Sequence, residues 1–284
     1  MKEVVIVSAA RTPFGKYGGG LKPLKAVELG GLAIAEALKR AKISGEQVDE
    51  VVFGTVLAAG QGQVPARQAS VKGGIPYTVP VVTINKVCGS ALKAVTLGAQ
   101  MIKAGDADVV VCGGMESMSN APYLVNEARW GARMNDIKMK DAMVLDGLWC
   151  PQNNVHMAVI GGAVAGEYGI TREMQDAWAL RSQQRWAAGE AKGAFDDERF
   201  PVEVPGKKGQ KTVVAKDEAP RPETTLEALS KLPPIFTPDN TVTAGNAPGT
   251  NDGASAVVIM SREKAQALGA PILATLKGYA QARR

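Results

Sequence analysis

The chain has 284 residues, 45% hydrophobic and 21% charged, with a net charge of +5. That length holds one large domain or two ordinary ones around a substantial buried core. The mild positive charge includes no basic block with interleaved aromatics, which argues against nucleic-acid binding; apart from Lys207-Lys208 and Arg283-Arg284 the cations are scattered, and they serve solubility or a preference for an anionic ligand.

The continuous apolar run Val4 to Ala10 predicts a buried first strand, followed by a Pro- and Gly-rich loop. From Leu24 to Arg40, apolar residues recur at helical spacing. "VDEVVFGTVL" reads as a second strand. "PARQASVKGG" reads as a short helix with Pro at its first position and Gly after its end. "TVPVVTIN" is a third strand. Cys88 then opens a helix on which Leu92, Val95, Ala99 and Ile102 share a face, and "ADVVVCGGM" is a fourth strand. Alternating strands and helices predict a mostly parallel sheet covered on both faces.

After Met115 the period is lost for about forty residues, a length that suggests an inserted subdomain. Within it, Thr171 caps a helix that continues through "QDAWALRSQQRWAAGEAK". A charged hairpin and a short helix from Thr225 follow. The core pattern resumes at "DGASAVVIMS", with a helix at "REKAQALG" and a last apolar run, "APILATLKGYA".

Three cysteines and one histidine offer neither a disulfide framework nor paired metal-ligand spacing, so no metal site is expected. No stretch reaches the ~18 apolar residues of a membrane span, and the N-terminus lacks a signal-peptide pattern. A cytoplasmic location is the expectation. Cys112 lies inside an apolar strand and reads as core, and Cys150 reads as a structural loop residue. Cys88 has two readings. It is a buried structural cysteine, or a nucleophile on a strand-to-helix turn, where unsatisfied N–H groups and the helix dipole favour thiolate. Gly113-Gly114 turns the chain off its strand or admits a ligand to the backbone. "TAGNAPGTNDGASA" is a series of turns or a wall for a thin ligand. His156 is satisfied locally or folds back as a base for Cys88.

The segments "VVIVSAARTPFGKYGG", "NKVCGSALKAV", "CGGMESMSNAPYL", "RPETTLEALSKLPPIF" and "TVTAGNAPGTNDGASA", in this order, closely resemble the thiolases, specifically acetyl-CoA acetyltransferases. The resemblance implies an α/β fold: a thiolase-like three-layer α-β-α mixed sheet with an inserted loop subdomain. It implies a core of residues 1–115 plus 246–284 and a CoA-covering insertion, 116–245. It makes Cys88 the catalytic acceptor of an acyl group from acyl-CoA. It places Leu148, His156, Met157 and Phe236 along the acyl and pantetheine pocket, Arg221 near the CoA nucleotide, and Ala244 and Gly245 beside the pantetheine. The substrate would be a short-chain coenzyme A thioester, with no tightly bound cofactor, and the partners a homodimer or homotetramer.

Two motifs depart from the family. Pro248 replaces a serine, which removes a hydroxyl contact to CoA and fixes φ. The family's "HMGxTAENVA" reads "HMAVIGGAVA" here. The resemblance also implies a C-terminal catalytic domain that this chain lacks, with its GHP histidine, CxG cysteine and NEAFA asparagine. Three functions follow as expectations: thiolase-type acyl transfer, incomplete without a C-terminal half; a non-catalytic CoA-ester-binding or assembly module that pairs with a separate C-terminal half; and a redox-sensing thiol.

Overall fold

A computed structural model of the protein describes residues 2–206 and 209–282. The Lys207-Lys208 and Arg283-Arg284 pairs lie outside the described residues. In chain order the elements are β1 (Val4–Arg11), β2 (Gly15–Lys16), α1 (Ala26–Ala41), β3 (Glu50–Gly54), α2 (Pro65–Lys72), β4 (Val81–Ile84), α3 (Ser90–Ala104) and β5 (Val109–Ser117). Next come β6 (Tyr123–Leu124), β7 (Lys140–Asp141), β8 (Trp149–Cys150), β9 (Val155–His156), α4 (Met157–Glu167) and α5 (Arg172–Ala191). The hairpin β10 (Val202–Pro205) and β11 (Lys211–Val214), α6 (Leu226–Ser230), β12 (Asn251–Ser261), α7 (Arg262–Leu268) and β13 (Ala274–Thr275) complete the chain.

The chain divides into two compact units: Met1–Asn120, Asp197–Lys216 and Asn251–Arg284 form the first, and Ala121–Asp196 and Asp217–Thr250 the second. The β10–β11 hairpin, which the sequence placed in the insertion, falls in the first unit. Val202, Val204 and Val214 join its core, and the segment leading into the hairpin is tied to β1 by Arg11 N–H donating to Glu198 O and Phe200 N–H to Arg11 O.

The first unit is built on one sheet in the order β13-β1-β12-β5-β3-β4, with β2 paired to β12. Side chains along a strand alternate between faces, and this alternation sorts the core. Val51, Phe53, Val109, Val111, Val258 and Met260 face the layer of α1 and α2. Val52, Val110, Cys112 and Ile259 face α3, against Ala94, Ala99 and Ile102. Helices thus cover both faces, in three layers. The sheet is mixed. β3 is parallel to β4 and β5, but β12 lies antiparallel between β1 and β5. The parallel sheet predicted from strand–helix alternation is corrected here, because β12 returns after a long excursion and enters from the opposite end.

Close packing explains several small residues. A Cβ on Gly98 of α3 would stand 2.7 Å from Cys112 Sγ. Ile102 of the same helix is fully buried, and truncating it to alanine should cost about 2–5 kcal/mol. Leu92, predicted to share that buried face, is instead 72% exposed; the helix turns it away from the sheet at its first turn. The helix is closed by Gly105 at φ 92°, the left-handed conformation that glycine adopts without a Cβ penalty.

In the second unit, α5 starts where Thr171 Oγ1 accepts from Met174 N–H at 3.3 Å, the cap read from the sequence. α4 was not foreseen. His156 caps it, with Nδ1 accepting from Ala158 N–H at 3.1 Å. Its glycine pair, which reads as helix-breaking, has a packing reason. A Cβ on Gly162 would lie 2.0 Å from Asn240 Oδ1, and Asn240 donates to the α4 carbonyl of Ala158 at 3.3 Å.

Candidate active site

β3, β4 and β5 run parallel, so their carboxyl ends share one edge of the first unit, the edge where open α/β sheets characteristically hold ligands. Cys88 follows β4 at this edge and is exposed. The helix starts at Ser90, so Cys88 sits two residues before it, on the turn. The buried-cysteine reading therefore falls. Two glycines seat the first turn of α3. A Cβ on Gly54 would meet Ser90 Cβ at 2.6 Å, and one on Gly114 would meet Ala91 Cβ at 2.9 Å. Gly113-Gly114 neither turns the chain nor ends β5. Gly113 lets the β12 backbone approach, since its Cβ would meet Ser255 O at 2.1 Å, and Gly114 admits α3.

The turn itself is held by side chains. Ser90 Oγ accepts from Lys86 N–H at 2.8 Å and donates to Val87 O at 2.6 Å. Asn85 Oδ1 accepts from Val87 N–H at 2.9 Å. Val87 has φ 48°, a conformation that β-branched residues rarely adopt. The residue immediately before Cys88 is thus held in a strained state by its neighbours.

The other candidates lie in the second unit. β8 pairs antiparallel with β9, Trp149 opposite His156 and Cys150 opposite Val155, and Leu148 and Met157 adjoin the Trp149–His156 pair in the chain. Leu148 is half-buried and Met157 exposed. The His156 ring stacks on Phe236 with centroids 4.1 Å apart at 27°. Burial lowers the His156 pKa, which favours neutral imidazole. Phe236 has φ 69° and lies in the loop closed by a bridge between Pro234 and Thr243. Ala244 and Gly245 follow on a tight turn where Gly245 N–H donates to Thr243 Oγ1. Asn246 holds that turn: its Oδ1 accepts from Thr243 N–H at 2.7 Å, and its Nδ2 donates to Asp176 at 2.9 Å and to Thr241 O at 3.2 Å. A Cβ on Gly245 would meet the terminal methyls of Leu229 and Leu232 at 2.5 Å, so those side chains would have to shift to admit a larger residue. Arg221 is exposed, and its N–H is fixed by Gln183 Oε1 at 2.8 Å. Pro248 is exposed on the turns before β12.

His156, Phe236, Leu148 and Met157 are therefore brought together, and Ala244 and Gly245 are connected to them through the Pro234–Thr243 bridge. Arg221 stands apart on its own stretch, and Cys88 belongs to the other unit. Cys112 is fully buried, and burial pushes its thiol far up, so it is inert core. Cys150 lies on β8 rather than in a loop, its Sγ 3.5 Å from Gln152 Oε1. The sequence reading passed over Glu116, whose carboxylate accepts from Val56 N–H at 2.8 Å, Leu57 N–H at 3.1 Å and Thr55 Oγ1 at 3.1 Å. A lone acid at the end of the apolar run "DVVVCGGME" was the available signal. No group of three or more candidate metal ligands is clustered among the described residues.

Comparison with known proteins agrees with the motif resemblance. The family described as "Thiolase, N-terminal domain" matches residues 4–263. An acetyl-CoA acetyltransferase of Cupriavidus necator is 53% identical over 282 residues, 99% of this chain and 72% of that protein. The acetyl-CoA acetyltransferase of Pseudomonas aeruginosa is 51% identical, over 99% of this chain and 72% of its own length. That of Allochromatium vinosum is 49% identical, over 99% and 71%.

Proposed function

Since the chain belongs to the thiolase family, we propose that Cys88 is its acyl acceptor. In this reaction the Cys88 thiolate attacks the carbonyl carbon of a short-chain acyl-CoA. The carbon–sulfur bond to CoA breaks, the CoA thiolate leaves and takes a proton, and an acyl-Cys88 thioester remains. A second acyl-CoA, deprotonated at its α-carbon, then attacks that thioester. A carbon–carbon bond forms, the Cys88–carbon bond breaks, and a 3-ketoacyl-CoA is released; thiolysis is the reverse. The observation that carries the proposal is the exposed cysteine on a braced turn at the carboxyl edge of the parallel strands.

Leu148, His156, Met157 and Phe236 are assigned to the acyl and pantetheine end of the substrate, Ala244 and Gly245 to the pantetheine, and Arg221 to the nucleotide phosphates. No tightly bound cofactor takes part. The unit of Met1–Asn120, Asp197–Lys216 and Asn251–Arg284 carries the nucleophile, and the unit of Ala121–Asp196 and Asp217–Thr250 the CoA contacts. The carbon–carbon step draws on a second base and on oxyanion donors supplied by a C-terminal thiolase segment, and the assembled protein is a homodimer or homotetramer in the cytoplasm.

Acyl capture alone supports isotope exchange: labelled CoA and unlabelled acetyl-CoA should trade label through the Cys88 thioester, and Cys88→Ser should abolish the exchange. CoA binding by calorimetry without exchange would replace this proposal with the non-catalytic module.

A further inference from the structure

Where β3 ends at Gly54, the chain leaves the sheet, and the next backbone donors need partners. Glu116, projecting from β5, takes two of them and a side-chain hydroxyl. Its two oxygens accept from Thr55 Oγ1, Val56 N–H and Leu57 N–H at 2.8–3.1 Å. Gln61 closes the far side, its Nε2 donating to Leu57 O at 2.6 Å and to Thr55 Oγ1 at 3.3 Å. The loop so fixed reaches the strand that leads to Cys88 at two points. Thr55 N–H donates to Ile84 O at 3.2 Å, and Val56 O accepts from Asn85 Nδ2 at 3.4 Å. The other end of the same Asn85 amide holds Val87 N–H at 2.9 Å, and Val87 is the residue in the left-handed region. A continuous series of hydrogen bonds therefore joins a half-buried carboxylate to the strained residue beside the nucleophile.

We propose that Glu116 is a positioning residue for Cys88, acting through the Thr55–Leu57 loop and Asn85 to hold the Val87 turn. This rests on Cys88 being the reactive thiol. A strained backbone state persists only while its surroundings over-determine it. Loss of the carboxylate leaves three donors unmet, frees Val56 O from Asn85, and lets Val87 relax and rotate Cys88 off the helix tip. Burial works against a charged Glu116 and raises its pKa; the three donors oppose that by favouring the carboxylate. The cluster also contains Gln61 Oε1, a buried oxygen with no hydrogen-bond partner.

The test is the iodoacetamide rate at Cys88, followed by peptide mass mapping, with Cys150 in the same digest as internal control. Glu116→Gln and Asn85→Ala should each slow Cys88 about fivefold, the factor one lost hydrogen bond typically carries. The double variant should be no slower than the slower single one, because both act on one turn. Asn85→Asp keeps the acceptor for Val87 N–H but loses the donor to Val56 O, so it should slow Cys88 as Glu116→Gln does. Cys150 labelling should hold steady throughout. If Glu116→Gln fails to fold, Thr55→Val removes a single donor and should slow Cys88 in the same direction. Unchanged Cys88 rates, effects that multiply, or a parallel rise at Cys150 would overturn the proposal. Because iodoacetamide needs no acyl-CoA chemistry, absence of label exchange between CoA and acetyl-CoA would defeat the acyl-transfer assignment and leave this test intact.

Discussion

Gly54→Ala tests whether the seating of α3 sets the reactivity of Cys88. The new methyl would stand 2.6 Å from Ser90 Cβ and 3.0 Å from Ser90 C. Carbon atoms settle at about 3.5–4.0 Å, so the first turn of α3 must retreat by roughly 1 Å. Overpacking of this kind costs about 1–3 kcal/mol. A displacement of that size at a reacting group costs up to about 10²-fold in rate. Two measurements separate these effects. Urea denaturation should show the modest loss of stability, and the rate of acetyl incorporation at Cys88 should fall by one to two orders of magnitude, about what the displacement implies. Gly114→Ala, which presses on Ala91 instead, should act in the same direction. A Gly54→Ala protein that acylates at the unsubstituted rate would refute the reasoning, because the turn would then tolerate displacement of the helix it precedes.

Asn246→Ala should destabilise the second unit by about 1–3 kcal/mol in urea denaturation, since it strips a partner from the buried Asp176 and from Thr243 N–H. An unchanged midpoint would show that the 243–246 turn holds without it. His156 has a folded-state pKa below its unfolded value, so its contribution is fully present above about pH 6.5. It is lost as pH falls through the folded value, because the unfolded chain takes up the proton first. Between about pH 7 and pH 5 the urea midpoint should therefore fall more steeply for the unsubstituted chain than for His156→Gln, and identical slopes would contradict this. The exposed Leu92, Val82 and Tyr77 lead us to expect self-association by light scattering, reduced by Leu92→Glu; a monodisperse single chain would count against it.

Much of the first unit could be read from apolar runs, because a buried strand has little choice of composition: β3 and β4 fall within their predicted segments, and β1, β5 and β12 overlap theirs and run one or two residues past them. Strand direction could not be read. Nothing local in "DGASAVVIMS" says that it will enter between β1 and β5 and run antiparallel to both. α4 was missed because Gly162 is explained only by Asn240, distant in sequence. The same limit hid Glu116. Its role depends on three donors in a loop some sixty residues earlier, and no spacing rule links them. Cys88 was visible because a strand-to-helix turn is a local feature. Leu92 was misassigned because helical period alone does not say where along the helix the sheet ends.

The central claim is that the braced thiol at Cys88 captures acyl groups from CoA thioesters. Its most direct measurement is the mass of the Cys88 peptide after brief incubation of the chain with acetyl-CoA. One acetyl group is expected on that peptide, released by added CoA and absent from Cys88→Ser. An unmodified Cys88 peptide, in a protein whose Cys88 still reacts with iodoacetamide, would contradict it.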